Sequence, residues 1–405
     1  METAKADAKS PSSSGLLKGV GPNVLVLGAV SFFTDVASEM IVPVLPIFLI
    51  TVLGAPMAAV GFIEGVAEST ASILRVFAGW IADRTGRRKP LIVLGYTLAN
   101  LVKPLLALTT AWPQVLVIRF ADRFGKGIRG SPRDALIADS TLPDYRGRAF
   151  GFHRSLDTAG AAIGPLLAAA LLAVGGQDPR LVFWAASVPG LIAVIIVVGL
   201  VRDRPIAPSQ RAAPSLRWTD LGRPFALFTA VTTLFALGNS SDAFLILRAQ
   251  DLGVPVPLIP LVYFVFNLVF AILATPAGIL SDKVGRRSVL VAGYTVFALV
   301  YLGFAVAPSP WIAAALFVAY GAYYAMTEGV GRALITDLVP PTLRATAMGV
   351  FATITGLALL PASLIAGALW QYVSPSAPFF YGAAMAGAAA LLMPLAVAAK
   401  KTPEA

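Results

Sequence analysis

The chain has 405 residues, 57% of them hydrophobic and only 13% charged, where soluble domains carry about 25% charged residues. That balance excludes an ordinary water-soluble globular fold, and 30 Pro and 36 Gly dispersed along the chain are better tolerated in lipid-embedded helices than in soluble ones. The net charge of +10 does not argue for nucleic acid, because Lys and Arg fall in short clusters between apolar stretches rather than on one basic face; the absence of Cys removes disulfides, thiolate metal sites and thiol nucleophiles.

Residues 1–22 mix Lys5, Lys9 and Lys18 with Ser, Ala, Pro and Gly, a composition that cannot bury a core and predicts a disordered tail. The apolar stretch from Asn23 to Leu53 is too long for a signal peptide and ends in no small-residue cleavage pattern, so it is kept as a span. Cutting at charges and at Pro/Gly clusters predicts twelve spans, at 23–50, 57–80, 90–110, 113–130, 147–173, 180–201, 223–248, 256–280, 289–307, 310–336, 345–371 and 376–399. Each is near the ~20 residues that cross a bilayer core as helix. The charge-rich stretch 202–222, with Pro205, Pro208 and Pro214, is the only connection long enough to separate two halves. The expectation is an all-α integral membrane protein with twelve transmembrane helices: six helices over 23–201, a linker over 202–222, six more over 223–399 and a tail over 400–405. Alternate connections gather Arg84, Arg87, Arg88, Lys89, Lys126 to Arg148, the linker, Lys283, Arg286 and Arg287, against only Arg180 and Arg248 on the other side. The positive-inside bias therefore predicts cytoplasmic termini in the cell inner membrane.

The two halves repeat. Gly79 to Arg88 recurs as Gly278 to Arg287 at an offset of 199, and Ala135-Leu-Ile-Ala-Asp139 recurs as Ala333-Leu-Ile-Thr-Asp337 at 198. Two matches at nearly one spacing indicate duplication with parallel topology, an arrangement in which substrate lies at the midplane between the halves.

At these residues the sequence resembles the major facilitator superfamily of secondary transporters, whose loop signature after the second helix is G-x-x-x-D-(R/K)-x-G-(R/K)-(R/K). Gly79, Asp83, Arg84, Gly86, Arg87 and Arg88 match it, and Gly278, Asp282, Gly285, Arg286 and Arg287 repeat it after the eighth helix. The glycines permit a tight turn, and the basic pair suits anionic headgroups. The resemblance implies two pseudo-symmetric six-helix bundles, a monomer, a small-molecule substrate, protons as coupling ion, and no cofactor, bound metal or nucleic-acid partner. The fifth span is also similar to the antiporter motif g-x8-G-x3-G-P-x2-G-G: Gly151, Gly160, Gly164 and Pro165 keep its spacing, while Ala168 and Ala169 replace the last pair. Ala still allows close helix approach. In the fourth span either Arg119 or Arg123 matches the family's buried Arg.

Charges inside a bilayer are costly and are functional candidates by default. Asp35 and Glu39, Glu64 and Glu68, and His153 and Asp157 form i,i+4 pairs, each on one helical face; with Asp122 they are the candidate proton-coupling groups, Asp35 first. A buried carboxyl that trades between a proton and a neighbouring cation can couple to alternating access. Candidate cavity residues are Arg119, Arg123 and Arg154 in the first half and Asn239, Asp242, Tyr263, Asn267, Tyr320, Tyr324 and Glu328 in the second. The first half thus carries most of the charge and the second adds aromatic and polar surface. Fixed structural pairs compete evenly with transport chemistry for any one of these charges. Pro43, Pro46, Pro165 and Pro361 mark kinks or hinges.

The leading functional expectation is proton-coupled efflux of a small molecule. Divalent-metal efflux through Asp35, Glu39, His153 and Asp157, and import or exchange of an organic anion on the Arg residues, stand beside it. A polytopic membrane enzyme lacks any nucleophile constellation or cofactor fingerprint.

Overall fold

The computed structural model describes residues 21–142, 145–203, 221–340 and 343–396. The expected tails and most of the linker lie outside the described residues. What is described is all helix, as a bilayer requires of lipid-facing backbone, since every N–H and C=O must be satisfied within its own segment.

The first half runs α1 (Pro22–Ile41), α2 (Leu45–Thr51), α3 (Met57–Thr85), α4 (Lys89–Val102), a 3-10 turn over Lys103–Leu108, α5 (Trp112–Asp139), α6 (Arg146–Val174) and α7 (Pro179–Leu200). The second half runs α8 (Gly222–Gly238), α9 (Ala243–Asp251), a 3-10 turn over Val256–Leu258, α10 (Ile259–Val284), α11 (Arg286–Val306), α12 (Pro310–Leu338), α13 (Arg344–Tyr372) and α14 (Ala377–Ala396). These make twelve spans, because α1 with α2 and α8 with α9 are single spans broken in the middle.

Ten of the spans are long and apolar by composition. The other two are α5, which carries buried Arg119, Arg123 and Arg129, and α12, which carries buried Tyr320 and Tyr323. The outer surface is apolar in compensation, with Val117, Ile195, Leu299, Leu391 and Leu395 among its exposed side chains. Contiguous apolar exposure on this scale belongs against lipid tails.

Three features of the helices bear on the site. The first span breaks at residues 42–44, between α1 and α2, where Pro43 and Pro46 lie. The seventh span breaks over Asn239-Ser240-Ser241-Asp242, and Ser241 there accepts a bond from the Ala243 amide (3.3 Å). The fourth span extends to Asp139 rather than 130, so Arg133 and Asp134 are helical instead of belonging to a loop. Its Gly-Ile-Arg-Gly-Ser-Pro run looks like a turn in sequence. In the structure Gly127 lets α5 approach α3, where a Cβ would stand 2.7 Å from Leu74 Cβ, and Ser131 bonds the Arg75 carbonyl at 2.9 Å.

The repeated loops end α3 and α10 at a glycine of positive φ. Gly86 adopts φ +67° and Gly285 φ +91°, a region open to Gly at little cost. Arg88 is buried and ion-paired to Asp139, whereas in the second half Arg286 reaches Asp337 at 3.0 Å. Each loop is thus tied to the end of the helix two spans later by the Asp of the second repeated motif.

The halves meet along α3 and α13. A Cβ on Gly61 would lie 2.1 Å from the Ser363 carbonyl oxygen, one on Gly65 2.9 Å from Leu360 Cδ1, and one on Gly367 2.7 Å from the Met57 carbonyl oxygen. Ser69 donates to the Gly356 carbonyl at 3.0 Å, the Ala58 amide donates to Gln371 Oε1 at 3.1 Å, and α2 packs on α9. This seam closes the end of the molecule away from the basic loops. Toward the basic loops, the side chains of Arg154, Arg332 and Asp134 are 66%, 65% and 52% exposed.

Candidate functional site

A cavity of about 330 Å³ lies between the halves, walled by α1, α3, α5 and the 3-10 turn on one side and by the α8–α9 break, α10, α12 and α13 on the other. Its walls differ in chemistry. The first half contributes Asp35, Glu39, Glu64, Glu68, Lys103, Arg119, Asp122, Arg123, Lys126 and Arg129; the second contributes one charge, Asp242, with Asn239, Ser240, Ser241, Tyr263 and Tyr324.

Helical spacing builds the first wall. Glu64 and Glu68 on α3 face Arg119 and Arg123 on α5, each pair four residues apart and hence on one face. Arg119 donates to both Glu64 oxygens, at 2.8 and 2.9 Å, and Arg123 pairs with Glu68 at 3.1 Å. Asp122 sits between the two guanidinium groups, 3.6 Å from Arg119 and 3.8 Å from Arg123. Both Arg residues are therefore buried and paired, and sequence alone could not choose between them. Lys103, 3% exposed, is held instead by neutral acceptors: Ser38 Oγ and Asn100 Oδ1, each at 2.9 Å.

The break between α8 and α9 brings polar groups to the cavity midpoint. Ser241 Oγ donates to Glu64 at 3.4 Å, a polar link between the halves. Asp242 accepts from the Tyr320 hydroxyl at 2.8 Å. Tyr320 itself is fully buried in an aromatic cluster with Phe266, Tyr323 and Tyr324, so it orients Asp242 without lining the space.

At the edge of the cavity Asp35 stands beside Asp157 of α6. Asp157 is also paired with Arg154 at 2.7 Å. The approach of α6 to α1 depends on small residues: a Cβ on Gly160 would lie 2.4 Å from the Phe32 carbonyl oxygen, and one on Gly164 2.8 Å from that of Val36. Gly151 meets nothing within 4 Å, and Pro165 stands within α6.

Several candidates stand outside this lining. His153 is buried with Nε2 2.9 Å from Ser31 Oγ, which also meets the Tyr96 hydroxyl at 2.9 Å. Asn267 bonds back to the Tyr263 carbonyl at 3.2 Å, Glu328 pairs with Arg332, and Arg154 and Asp157 pair with each other behind the lining. Conversely, Lys126, Arg129, Ser38, Ser240 and Ser241 line the cavity and were not among the sequence candidates. The polar run after Gly238 was the available signal for the serines; Lys126 and Arg129 lie in the expected fourth span, but only packing shows that they face the cavity.

Two six-helix halves closed on one side of a charged midplane cavity define a multi-pass membrane transporter. A sequence model of the Major Facilitator Superfamily matches residues 27–247 and 226–405, and the chain belongs to that family; it is a transporter and not an enzyme. An uncharacterised MFS-type transporter of Methanocaldococcus jannaschii is 38% identical over 92% of this chain and 94% of its own. The multidrug resistance protein MdtH of Photorhabdus laumondii is 34% identical over 38% of each chain. Among solved structures, the nucleoside transporter NupG shares the fold, with a TM-score of 0.73 at 16% identity, covering 92% of this chain and 98% of its own.

Proposed function

We propose that this transporter is a proton-coupled exporter of a small polar molecule, with its cavity open to the cytoplasm and its termini on that side. The observation that carries the reading is the carboxyl of Asp35 on the cavity wall, in α1 where the antiporter-like Gly160 and Gly164 bring α6, with Asp157, close. A proton held there is exchanged as alternating access moves α1 and α6 together against the second half and changes the side from which water reaches Asp35. The clustering of Lys and Arg at the loops on the open side supports the orientation. The partial likeness to a multidrug resistance protein supports the outward direction. The divalent-metal alternative has less support, since no group of three or more His, Cys, Asp or Glu side chains placed to hold a metal ion is found among the described residues.

In this scheme the substrate-competent form has lost that proton, so substrate binding weakens as pH falls. The test is a growth-inhibition panel of dyes, antibiotics, divalent metals and organic acids, comparing wild type, Asp35→Asn and empty vector at matched expression. Resistance to one class that Asp35→Asn abolishes is the expected result. Sensitisation by wild type would overturn the export direction, and resistance that survives Asp35→Asn would overturn the proton site.

A further inference from the structure

The charges around the cavity divide into those that neutralise one another and those that do not. Glu64, Glu68, Asp122, Arg119 and Arg123 belong to the closed ladder between α3 and α5. Of the remainder, Lys103 is held by Ser38 and Asn100 and Asp35 lies beside Asp157; four further charges lining the same space make no ion pair among the described residues. On α5, Lys126 and Arg129 stand one turn apart on the cavity wall and make no ion pair with any described residue. Arg129 is only 7% exposed; its guanidinium lies 4.1 Å over the Tyr96 ring, and its NH1 nitrogen has no hydrogen-bond partner. Glu39 on α1 and Asp242 before α9 line the same cavity, again with no cation paired to either among the described residues. Asp242 takes only the neutral Tyr320 hydroxyl, and the rings of Tyr263 and Tyr324 also line that space.

A charge that is desolvated without a counter-ion in bonding distance costs free energy, so an occupant that displaces water from this cavity must offer each side the opposite charge. An anion alone would complement Lys126 and Arg129 and leave two carboxylates facing it. A cation alone would do the reverse. From this we infer that the cavity takes a small organic zwitterion, its carboxylate on Lys126 and Arg129 and its protonated amine between Glu39 and Asp242, with the Tyr263 and Tyr324 rings against the amine and the carbon frame. Tyrosine faces attract ammonium groups as well as apolar carbon, and a cavity near 330 Å³ is at the lower end of the ligand-pocket range. The inference rests on the transport reading of this cavity but not on the direction of transport or the coupling ion.

The test is binding to the purified full chain in nanodiscs at one fixed pH, followed by calorimetry and by the rise in Tm. The probes are alanine, phenylalanine and alanyl-phenylalanine, each beside its methyl ester, which keeps only the cation, and its N-acetyl form, which keeps only the anion. At least one zwitterion should bind, and each of its single-charge analogues about tenfold or more weakly, as loss of a charge-assisted contact implies. Lys126→Gln should remove the preference over the ester, and Asp242→Asn the preference over the N-acetyl form. Lys126→Arg should keep the preference, separating recognition from folding; if a variant does not fold, the wild-type series decides alone. Binding of none of the three zwitterions, or equal binding of the single-charge analogues, overturns the inference. With no gradient present, such a failure leaves proton-driven export standing, just as persistence of resistance in Asp35→Asn leaves the zwitterion site standing.

Discussion

Arg119 shows how a single side chain can be both necessary and individually replaceable in kind. Its bidentate bond to Glu64 is buried, with the two side chains 7% and 9% exposed, so truncating one partner strands a charge in low dielectric. Arg119→Ala is expected to destabilise the fold by about 3–5 kcal/mol, whereas removing both charges together with well-packed apolar residues can be close to neutral. Thermal unfolding of Arg119→Ala against the Arg119→Met/Glu64→Met double variant checks this; equal melting of wild type and Arg119→Ala would show that the pair carries no stability. The residue types and the four-residue spacing of the ladder were readable in sequence, since helix periodicity places Glu64 with Glu68 and Arg119 with Arg123. Which acid meets which base depends on the axial register of α3 against α5, and nothing local encodes that.

Among the elements, the glycines of α6 separate into two kinds. Gly160 and Gly164 stand where a side chain would strike the backbone of α1, while Gly151 stands in open space. Gly160→Val should therefore force the helices apart and cost about 1–3 kcal/mol, as overpacking does, with loss of transport; Gly151→Ala should be tolerated. Monodispersity in detergent and transport by the two variants provide the measurement, and a transport-competent Gly160→Val would contradict the tight α1–α6 seam. The spacing of the motif gave both kinds of glycine the same weight. The α5 extension has a similar origin, because Gly127, Gly130 and Pro132 have the local composition of a turn and are held helical only by packing against α3.

For the molecule as a whole, closure on one side implies a motion that opens it. The α3–α13 seam, from the Ala58–Gln371 hydrogen bond to Ser69 and Gly356, must separate when the cavity faces the other side. The chain contains no Cys, so Ala58→Cys with Gln371→Cys can be joined by a short thiol crosslinker without background reaction. Crosslinking is expected to abolish transport reversibly while leaving ligand access from the basic-loop side. Full transport by the crosslinked protein would rule out opening along this seam.

Composition, span length and the duplicated loop were enough to establish a twelve-span transporter of this family, because the bilayer demands long apolar helices and the repeat leaves its mark in the chain itself. The concentration of charge in the first half was equally visible, since a charge inside a span is conspicuous wherever it points. Only the tertiary structure decided which of those charges meet. The pairing of Arg119 and Arg123, the placing of Asp35 beside Asp157, and the unpaired state of Lys126, Arg129, Glu39 and Asp242 depend on how helices far apart in sequence are rotated and registered against one another, and that is fixed by packing across the whole bundle.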